Sequence, residues 1–513
     1  MERTHRDLIT VFVLAALVAV GLTCFILRAL PRVGKPFVGH DTWAILLVVD
    51  ELKKGNGYNG VSRYFLIGGE HDYPPLFFYL LALFPSALLR KYNWIINPLL
   101  DSVNAAILFL LSFFLTGNIL LSATAGAIYS VTPVVLEESL TLSTRIFGMI
   151  LFNIALLNFT LYQLTMNSVF LVFMIATGTL VLLSHKFSTE VLWLLLLSFA
   201  LVGRSYLPIL VLLATVLGAI LFSGGFYLKV LRGHLGIASF WLRHHSEYGA
   251  DYIKKESQDT RPQPRSSSEI ESDSGTFSPR RLLLRTKRVN PLYWVLRLNP
   301  FNPFALVVLL LPFVGIRSAW EWTLIQWSVL TLILFYTATY LRFLGRYPGR
   351  TQFLDYNAFP TALLCSVFAW APYSWWTAFI VLVAFLLSLI QSSRVWVRVR
   401  RRSRAEDQSL LEGIFDYLKK SPKDGVICLP ASHTYAIPYF TGKKVFYTMS
   451  ARNYEKLGAF FPVLTVPIET LSQQYAINFV MIDKKSVPVD ALGLSGFKPV
   501  MEQNDYLLLE RYV

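Results

Sequence analysis

The residues of this 513-residue chain that could do chemistry stand at the edges of its apolar segments. Asp41, in "VGHDTW", precedes a helix-like stretch, where its carboxylate can cap the helix or act as an oriented base. In "GGEHDYPPLFF", Glu70, His71 and Asp72 put two carboxylates two positions apart. That spacing suits a divalent cation or a sugar hydroxyl, and it also suits a solvated acidic loop ahead of a helix.

A second set of charged residues surrounds "EESLTLSTRIFG". Glu137 and Glu138 end one apolar segment, and Arg145 begins the next. These residues can form a charge girdle at the membrane interface, with the arginine reaching toward the head groups. Alternatively, the acid and the arginine belong to a binding site.

Two later turns supply cations. "LLSHKFSTE" contains His185 and Lys186, and "GRYPGRTQFLDYN" contains Arg346, Arg350 and Tyr356. An arginine in such a turn can hold a phosphate through two hydrogen bonds. Alternatively, the first turn is only a polar hairpin tip. The arginines of the second turn then only extend toward the membrane interface. Acids from early loops and cations from later ones therefore form a candidate substrate site.

The composition indicates a membrane protein. The chain is 54% hydrophobic and 15% charged, whereas soluble domains are about 25% charged. Several segments approach the roughly 20 residues that cross a bilayer. The net charge of +15 is then explained by basic loops beside anionic membrane lipids, and nucleic acid is not an expected partner. The three cysteines are too dispersed for a disulfide framework or a metal motif.

The pattern predicts a polytopic α-helical protein with about eleven transmembrane helices in residues 1–400, followed by a soluble α/β domain in residues 405–513. A first outer loop, 31–95, contains an interfacial amphipathic helix in "HDTWAILLVVDELKKGN" and a membrane-lying helix in "PPLFFYLLALFPSALLRKY". Residues 225–300 form a long, basic and partly disordered connection. The predicted spans are 8–28, 96–117, 119–136, 146–164, 168–184, 188–203, 206–224, 303–318, 323–344, 353–371 and 374–393.

Counting spans gives an orientation. Basic residues before the first span predict a cytoplasmic N-terminus, so the first loop, the later turns and the C-terminal domain all lie outside. The count also places the basic 225–300 connection outside, although the positive-inside rule weakens for loops longer than about 60 residues. The predicted spans are nearly free of charge, with Asp101 and Arg204 near their ends. This favours a site at the interface over a pathway through the bilayer.

Four sequence features together resemble the GT-C glycosyltransferases, polytopic enzymes that use polyprenyl-phosphate-linked sugars. They are the aspartate in "GHDTW" shortly after the first span, the "YPPLFFYLL" segment, the acid followed by "TRIFG", and a late arginine ahead of a tail that contains "YAIPYFTGKKV". The resemblance covers most of the chain. Its motifs imply the superfamily but do not identify the substrate.

The resemblance also implies roles. Asp41 matches the first-loop carboxylate that deprotonates or orients the acceptor. Glu138 matches an acid that supports the site or binds metal, and Arg350 matches a cation that holds the lipid phosphate. Asp41, Glu138 and Asp72 are the candidate ligands of Mg²⁺ or Mn²⁺. Alternatively, the enzyme is metal-independent. Glu70 and Asp72 match no family position.

The resulting hypothesis is an integral membrane glycosyltransferase of the plasma or cytoplasmic membrane with an extracytoplasmic site. It moves a sugar, with inversion, from a polyprenyl-phosphate donor to a hydroxyl on a glycan, lipid or protein. The tail lacks the "WWD" type of motif found in oligosaccharyltransferases, since "SWWTA" lies in a predicted span. The alternatives are a flippase or transporter of lipid-linked saccharides and a non-catalytic scaffold for glycan assembly.

Overall fold

The computed structural model describes most of the chain. The described residues are 2–33, 39–244, 301–309, 318–340, 351–370, 375–405, 411–429, 431–447, 453–458, 460–461 and 464–512. The predicted phosphate-binding residues Arg346 and Arg350 lie outside them, as do residues 245–300 of the predicted basic connection.

Helices dominate the described residues. The α-helices are α1 Glu2–Ala29, α2 His40–Lys53, α3 Leu76–Ala82, α4 Ser86–Thr116, α5 Ile119–Val131, α6 Pro133–Ser139, α7 Thr144–Thr165, α8 Ser168–Leu182, α9 Lys186–Gly203, α10 Leu207–Phe222, α11 Phe226–Arg243, α12 Ala305–Val308, α13 Ala319–Tyr340, α14 Gln352–Trp370, α15 Trp375–Ala405, α16 Glu412–Lys420, α17 Ala436–Thr441, α18 Tyr454–Leu457 and α19 Ile468–Tyr475. Short 3-10 helices cover Leu30–Arg32, Tyr58–Tyr64, Ala431–His433 and Val489–Leu492.

The polytopic helical class is confirmed, but the count of eleven spans is not. By length and composition, 6 helices in the described part can cross a membrane, or up to 8 when each of two bent pairs counts as one span. The predicted span 119–136 is bent by 62° between α5 and α6, because Pro133 starts a new helix. The predicted span 168–184 is a helix of only 15 residues.

Two predictions for the first loop are corrected. The predicted membrane-lying helix breaks before Pro85, so that α3 is short and the residues after it begin the 31-residue α4. Helix α2 is not a one-sided interfacial helix, because residues 45–49 are all buried. It packs in one core with α3 and the C-terminal domain. Trp43 of α2 contacts Tyr439 and Phe440 at ring-centroid distances of 5.3 Å and 4.7 Å.

The start of the predicted basic connection is a helix. Helix α11 follows α10 after a bend of 120°, which Gly224 and Gly225 allow by taking positive φ angles of 57° and 85°. The bend brings α11 back across the end of the bundle that carries the first loop.

The helical bundle also contains a buried ion pair, which the sequence did not predict. The Arg28 Nε atom of α1 lies 2.7 Å from an Asp101 carboxylate oxygen of α4, and both side chains are fully buried. Tyr129 of α5 donates to the other oxygen at 2.6 Å. Asp101 therefore lies in the middle of α4 and not, as predicted, near the end of a span. Its carboxylate links three helices.

The C-terminal domain has the predicted α/β character. Its four strands are β1 Val426–Leu429, β2 Phe479–Asp483, β3 Phe497–Gln503 and β4 Tyr506–Arg511, in the order β1-β2-β4-β3. The β1–β2 pair is parallel, and the other two pairs are antiparallel. Three of the four strands follow predicted strand segments, whereas the predicted strand "KKVFYT" contributes isolated bridges at Val445.

The first loop and the C-terminal domain are joined through their backbones. Leu66 N–H donates to the Val445 carbonyl at 2.9 Å, and Val445 N–H donates to the Tyr64 carbonyl at 2.8 Å. The loop thus extends the edge of the C-terminal sheet. The two parts lie at the same end of the helical bundle, as the sequence predicted.

Candidate active site

A cavity of about 400 Å³ lies between the helical bundle and the C-terminal domain. The helix starts and loops at one end of the molecule supply its walls. The lining residues that carry polar or charged groups are Asp41, His71, Tyr73, Ser143, Thr144, Arg145, His185, Lys186, Glu190, Gln352 and Tyr435. Five of the eleven predicted site residues therefore meet here: Asp41, His71, Arg145, His185 and Lys186.

Asp41 is the exposed carboxylate of this cavity. It lies in the first turn of α2 but does not cap the helix, because Gly39 occupies the N-cap position with a φ of 85°. Within the described residues, no hydrogen bond or ion pair engages its carboxylate. Its charge lies close enough to Arg145 and Tyr73 to act on both. The carboxylate is therefore available to a substrate and is held at a helix N-terminus, where negative charge is stabilised.

Arg145, at the start of α7, is held between two carboxylates. Its Nη1 atom makes an ion pair with Glu138 of α6 and lies 3.5 Å from Asp355 Oδ2 of α14. Asp355 is fully buried, and the side chain of Glu138 is 24% exposed. The predicted site acid Glu138 is thus committed to an arginine. Because the cation already has two anionic partners, it contributes little net positive charge to the cavity.

Lys186 is held in a similar way by the first loop. Its Nζ atom lies 2.9 Å from Asp72 Oδ1, with the two side chains 15% and 1% exposed. The ammonium also lies over the Tyr73 ring, 5.7 Å from its centroid. Asp72 packs against Gly233 of α11, where a Cβ atom would collide with the carboxylate. Asp72 is therefore a buried counter-ion behind the cavity wall.

The neighbours of Asp72 in the predicted triplet lie in different surroundings. His71 is buried against the Tyr58 ring at a centroid distance of 4.8 Å. Burial, with a contribution from the Lys186 charge, lowers the pKa of His71 to about 3, so the imidazole is neutral. Glu70 lies away from the cavity lining and pairs with Lys229 at 3.3 Å, with both side chains about half exposed.

His185 presents a neutral imidazole in a defined tautomer. The Ser188 backbone N–H donates to His185 Nδ1 at 3.1 Å, so the ring proton lies on Nε2. Burial, followed by the nearby charge of Arg145, lowers the pKa of His185 well below its usual value. Helix α9 can approach so closely because Gly148 of α7 has no side chain. A Cβ atom there would lie 2.7 Å from the His185 Cβ atom.

Comparison with known proteins identifies the fold. No family model and no curated protein sequence matches the chain. Among solved structures, the archaeal oligosaccharyltransferase AglB from Archaeoglobus fulgidus, in complex with an inhibitory peptide and a dolichol-phosphate, aligns with a TM-score of 0.59 and 12% identity, over 92% of this chain and 69% of that chain. The Archaeoglobus fulgidus oligosaccharyltransferase in complex with Zn and sulfate gives a TM-score of 0.58 and 14% identity, over 92% and 68%.

The chain has the GT-C fold. The resemblance found in the sequence is confirmed at this level, and at such identity the likeness shows the fold alone. ArnT from Cupriavidus metallidurans in the apo state overlaps 99% of this chain and 98% of that chain at 11% identity. Its TM-score is 0.43.

Within this GT-C fold, Tyr356 is not at an outer rim as predicted. It is buried one turn into α14, where its hydroxyl meets Ser188 Oγ and lies 3.5 Å from His185 Nδ1. The tyrosine therefore supports His185 from behind the cavity wall.

Several residues of the site were missed by sequence reasoning. Glu190 lies one turn after Lys186 on α9, lines the cavity, and contacts His234 Nδ1 of α11 at 3.0 Å. Tyr73 follows the predicted triplet and bonds to Thr144 Oγ1 at 2.9 Å. The spacing of Lys186 and Glu190, four residues apart at the start of a helix, is the one signal that could have placed Glu190 on the same face.

The predicted metal ligands are not brought together. No group of three histidine, cysteine, aspartate or glutamate side chains that could hold a metal ion occurs among the described residues. Asp72 is paired with Lys186, and Glu138 with Arg145. The set of Asp41, Glu138 and Asp72 in this arrangement therefore does not fit a divalent cation.

Proposed function

We propose that this protein transfers a sugar from a polyprenyl-phosphate-linked donor to an acceptor hydroxyl, with Asp41 as the base. The observation that carries the proposal is one exposed carboxylate in a cavity whose two cations are each already paired with another carboxylate. Of the acids predicted to be catalytic, Glu138 is engaged by Arg145. Asp41 is therefore the better base.

The reaction needs two groups with opposite tasks. As the acceptor oxygen bonds to the anomeric carbon, its proton passes to the Asp41 carboxylate. The bond from the anomeric carbon to the phosphate oxygen breaks, and the lipid phosphate leaves with both electrons. Attack from the opposite face inverts the anomeric centre. His185, neutral and protonated on Nε2, can donate a hydrogen bond to a substrate oxygen without taking part in proton transfer.

The leaving phosphate requires positive charge in its neighbourhood. Lys186 is already paired with Asp72, so its proposed part is to donate a hydrogen bond at the cavity wall, and the predicted residues Arg346 and Arg350 are proposed to supply the positive charge. A lipid-phosphate donor is supported by the shared fold with AglB, a protein solved with a dolichol-phosphate bound. The position of the cavity, at the end of an apolar helical bundle, lets a polyprenyl chain stay in the bilayer.

The proposed location is a plasma or cytoplasmic membrane, with the cavity outside the cytoplasm. This follows from the basic residues at the start of α1, ahead of its apolar span Thr10–Arg32, because the cavity lies at the far end of that helix. The acceptor is a glycan, a lipid or a protein. The absence of a "WWD"-type motif in the tail sequence argues against asparagine as the acceptor.

The test is a donor screen with the purified full-length protein and a set of polyprenyl-phosphate sugars. We expect one donor to release free polyprenyl phosphate in step with glycoside formation. If the lipid-linked sugar instead crosses vesicle membranes with no covalent product, the protein is a transporter and the proposal is wrong. A protein that neither consumes nor moves any donor would support the scaffold alternative.

A further inference from the structure

The end of α15 carries a row of arginines that the proposed reaction does not use. The helix has 31 residues, or roughly 46 Å at 1.5 Å per residue, which exceeds the roughly 30 Å core of a bilayer. Its first part is apolar, and six arginines then occur between positions 394 and 404. The arginine-rich end therefore continues the span into the head-group region.

The two faces of this helix end differ. On one face, Val395 is buried against Leu136 of α6 and Leu140 directly after that helix, and Ser392 Oγ donates to the Val131 carbonyl at 2.7 Å. This packing fixes the rotation of α15 about its axis. The opposite face must point away from the bundle.

That opposite face combines charge with apolar surface. Arg394, Arg398 and Arg401 follow one another at i, i+4 and i+7, a spacing that puts them on one side of a helix. With Ile390 and Val397, which are 51% and 52% exposed, they line one shallow groove. Ser393 completes the described lining.

The groove suits a phosphate attached to an acyl chain. A guanidinium binds phosphate through two parallel hydrogen bonds, and basic clusters next to a span attract anionic lipids. The exposed side chains of Leu382 and Leu386 continue the apolar surface from Ile390 into the membrane-spanning part of the helix. Free phosphate would use the arginines and leave this apolar surface uncovered.

The groove lies beside the helix that carries the site acid. Arg398 Nη1 contacts Glu137 Oε1 of α6 at 3.0 Å, and the next residue, Glu138, binds Arg145 of the cavity. The groove and the cavity thus share an end of the molecule, and α6 lies between them. Within the described residues, Arg398 pairs with Glu137 of α6, and Arg394 Nη1 donates to the neutral Gln391 Oε1 of α15 itself at 3.3 Å.

We infer that this face of α15, formed by Ile390, Arg394, Val397, Arg398 and Arg401, binds the phosphate of an anionic phospholipid in the leaflet at the cavity end. The lipid is a bulk membrane component and not the sugar donor. This inference does not depend on the proposed glycosyl transfer, because lipid binding is measured without donor or acceptor.

The experiment titrates phosphatidylglycerol into the full-length protein in a neutral detergent and counts bound lipid by native mass spectrometry. The test variant is R394Q/R401Q, which leaves the Arg398–Glu137 contact in place. The control is K420Q/K444Q, which removes the same charge from exposed positions of the C-terminal domain. We expect the test variant to bind roughly 10- to 30-fold more weakly, given the usual contribution of two juxtamembrane arginines, and the control to bind as the wild type does.

Three results would overturn the inference: equal binding by wild type and R394Q/R401Q, equal binding of phosphatidylcholine and phosphatidylglycerol, or competition by millimolar inorganic phosphate that fully displaces the lipid. A melting temperature of R394Q/R401Q in phosphatidylcholine equal to that of the wild type shows that the variant is folded. If it melts lower, the single variant R401Q replaces it in the same comparison.

Discussion

At the residue scale, burial sorts the acids around the cavity into two kinds. Asp72 and Asp355 are buried beside a cation and act as counter-ions, whereas Asp41 is exposed to the cavity. A carboxylate that is already bound to a cation is a poor base, because its charge is stabilised where it stands. The proposed proton acceptor is therefore Asp41 and not either of these two acids.

The buried pair of Lys186 and Asp72 gives a prediction for stability. Replacing Lys186 by methionine leaves the Asp72 charge buried without this cation, which typically costs about 3–5 kcal/mol. The double variant K186M/D72N removes both charges and should recover part of that loss. Melting temperatures in one detergent measure both effects, and a double variant no more stable than K186M would contradict the assignment.

His71 gives a prediction for pH dependence. Its pKa of about 3 in the folded protein lies below the value of 6.5 usual for histidine. Between these values the unfolded chain binds a proton that the folded protein does not, so the folded state loses stability as the pH falls from about 6.5 toward 3. The variant H71Q should therefore lose less melting temperature than the wild type between about pH 7 and about pH 5. Equal losses would contradict a buried neutral His71.

The sequence identified many of these residues but not their partners. Asp41, Arg145, His185 and Lys186 were predicted from residue type and from their positions at segment ends, and all of them line the cavity. Two of their pairings join positions more than a hundred residues apart, Lys186 with Asp72 and Arg145 with Asp355. Spacing along the chain carries no information on such contacts, which arise when the helices pack.

At the element scale, close helix approach at glycine shapes the cavity. The start of α9 rests on Gly148 of α7, where a Cβ atom would lie 2.5 Å from Ser188 Oγ. That contact fixes the residue that orients His185. The sequence predicted α7 and α9 as spans, but the glycine contact depends on their rotation, which apolar composition does not encode.

We therefore predict that G148A lowers both the melting temperature and the transfer rate. Added volume in a packed contact typically costs about 1–3 kcal/mol, and the shift of α9 would move His185. The control is G203A at the other end of α9, where nothing lies within 4 Å of a Cβ atom. A G148A protein with the stability and activity of G203A would show that the approach is not tight.

The helix breaks also belong to this scale. Pro133 is the first residue of α6, the position in a helix that proline favours, and Pro85 directly precedes α4. Apolar composition predicted residues 119–136 as one continuous span, although they contain Pro133. The predicted span 119–136 is divided by the bend at Pro133, and the predicted span 168–184 is a helix of only 15 residues. Fewer than eleven helices of the described residues are therefore long and apolar enough to cross a membrane.

At the scale of the whole molecule, the first loop and the C-terminal domain form one cap over the cavity. Backbone hydrogen bonds join them at Val445, and Tyr435 of the domain lines the cavity beside residues of the helical bundle. Alternating strands and helices predicted the domain, and the predicted spans placed it at the same end of the bundle as the first loop. Its extracytoplasmic side stays a prediction. The contact between domain and loop was beyond the sequence, because the two segments lie far apart in the chain.

This arrangement predicts which positions share a compartment. Cysteines placed at Asn59 in the loop and at Lys420 in the domain, both exposed, should react with a membrane-impermeant maleimide from the same side. A cysteine at Thr165 should react from the opposite side. The 22-residue α7 begins at the cavity with Thr144 and ends at the other end of the bundle with Thr165. The native cysteines are buried and provide a low background. Labelling of Asn59 and Lys420 positions from different sides would contradict the cap.

The most direct measurement of the central claim is the transfer rate of D41N beside that of D50N. Both aspartates belong to α2, but Asp50 pairs with Arg90 outside the cavity lining, so D50N makes the same chemical change away from the substrate. Loss of a general base should slow D41N by about 10²- to 10⁴-fold, with D50N at the wild-type rate and both proteins equally stable. A D41N enzyme that transfers sugar as fast as D50N would contradict the assignment of Asp41 as the base.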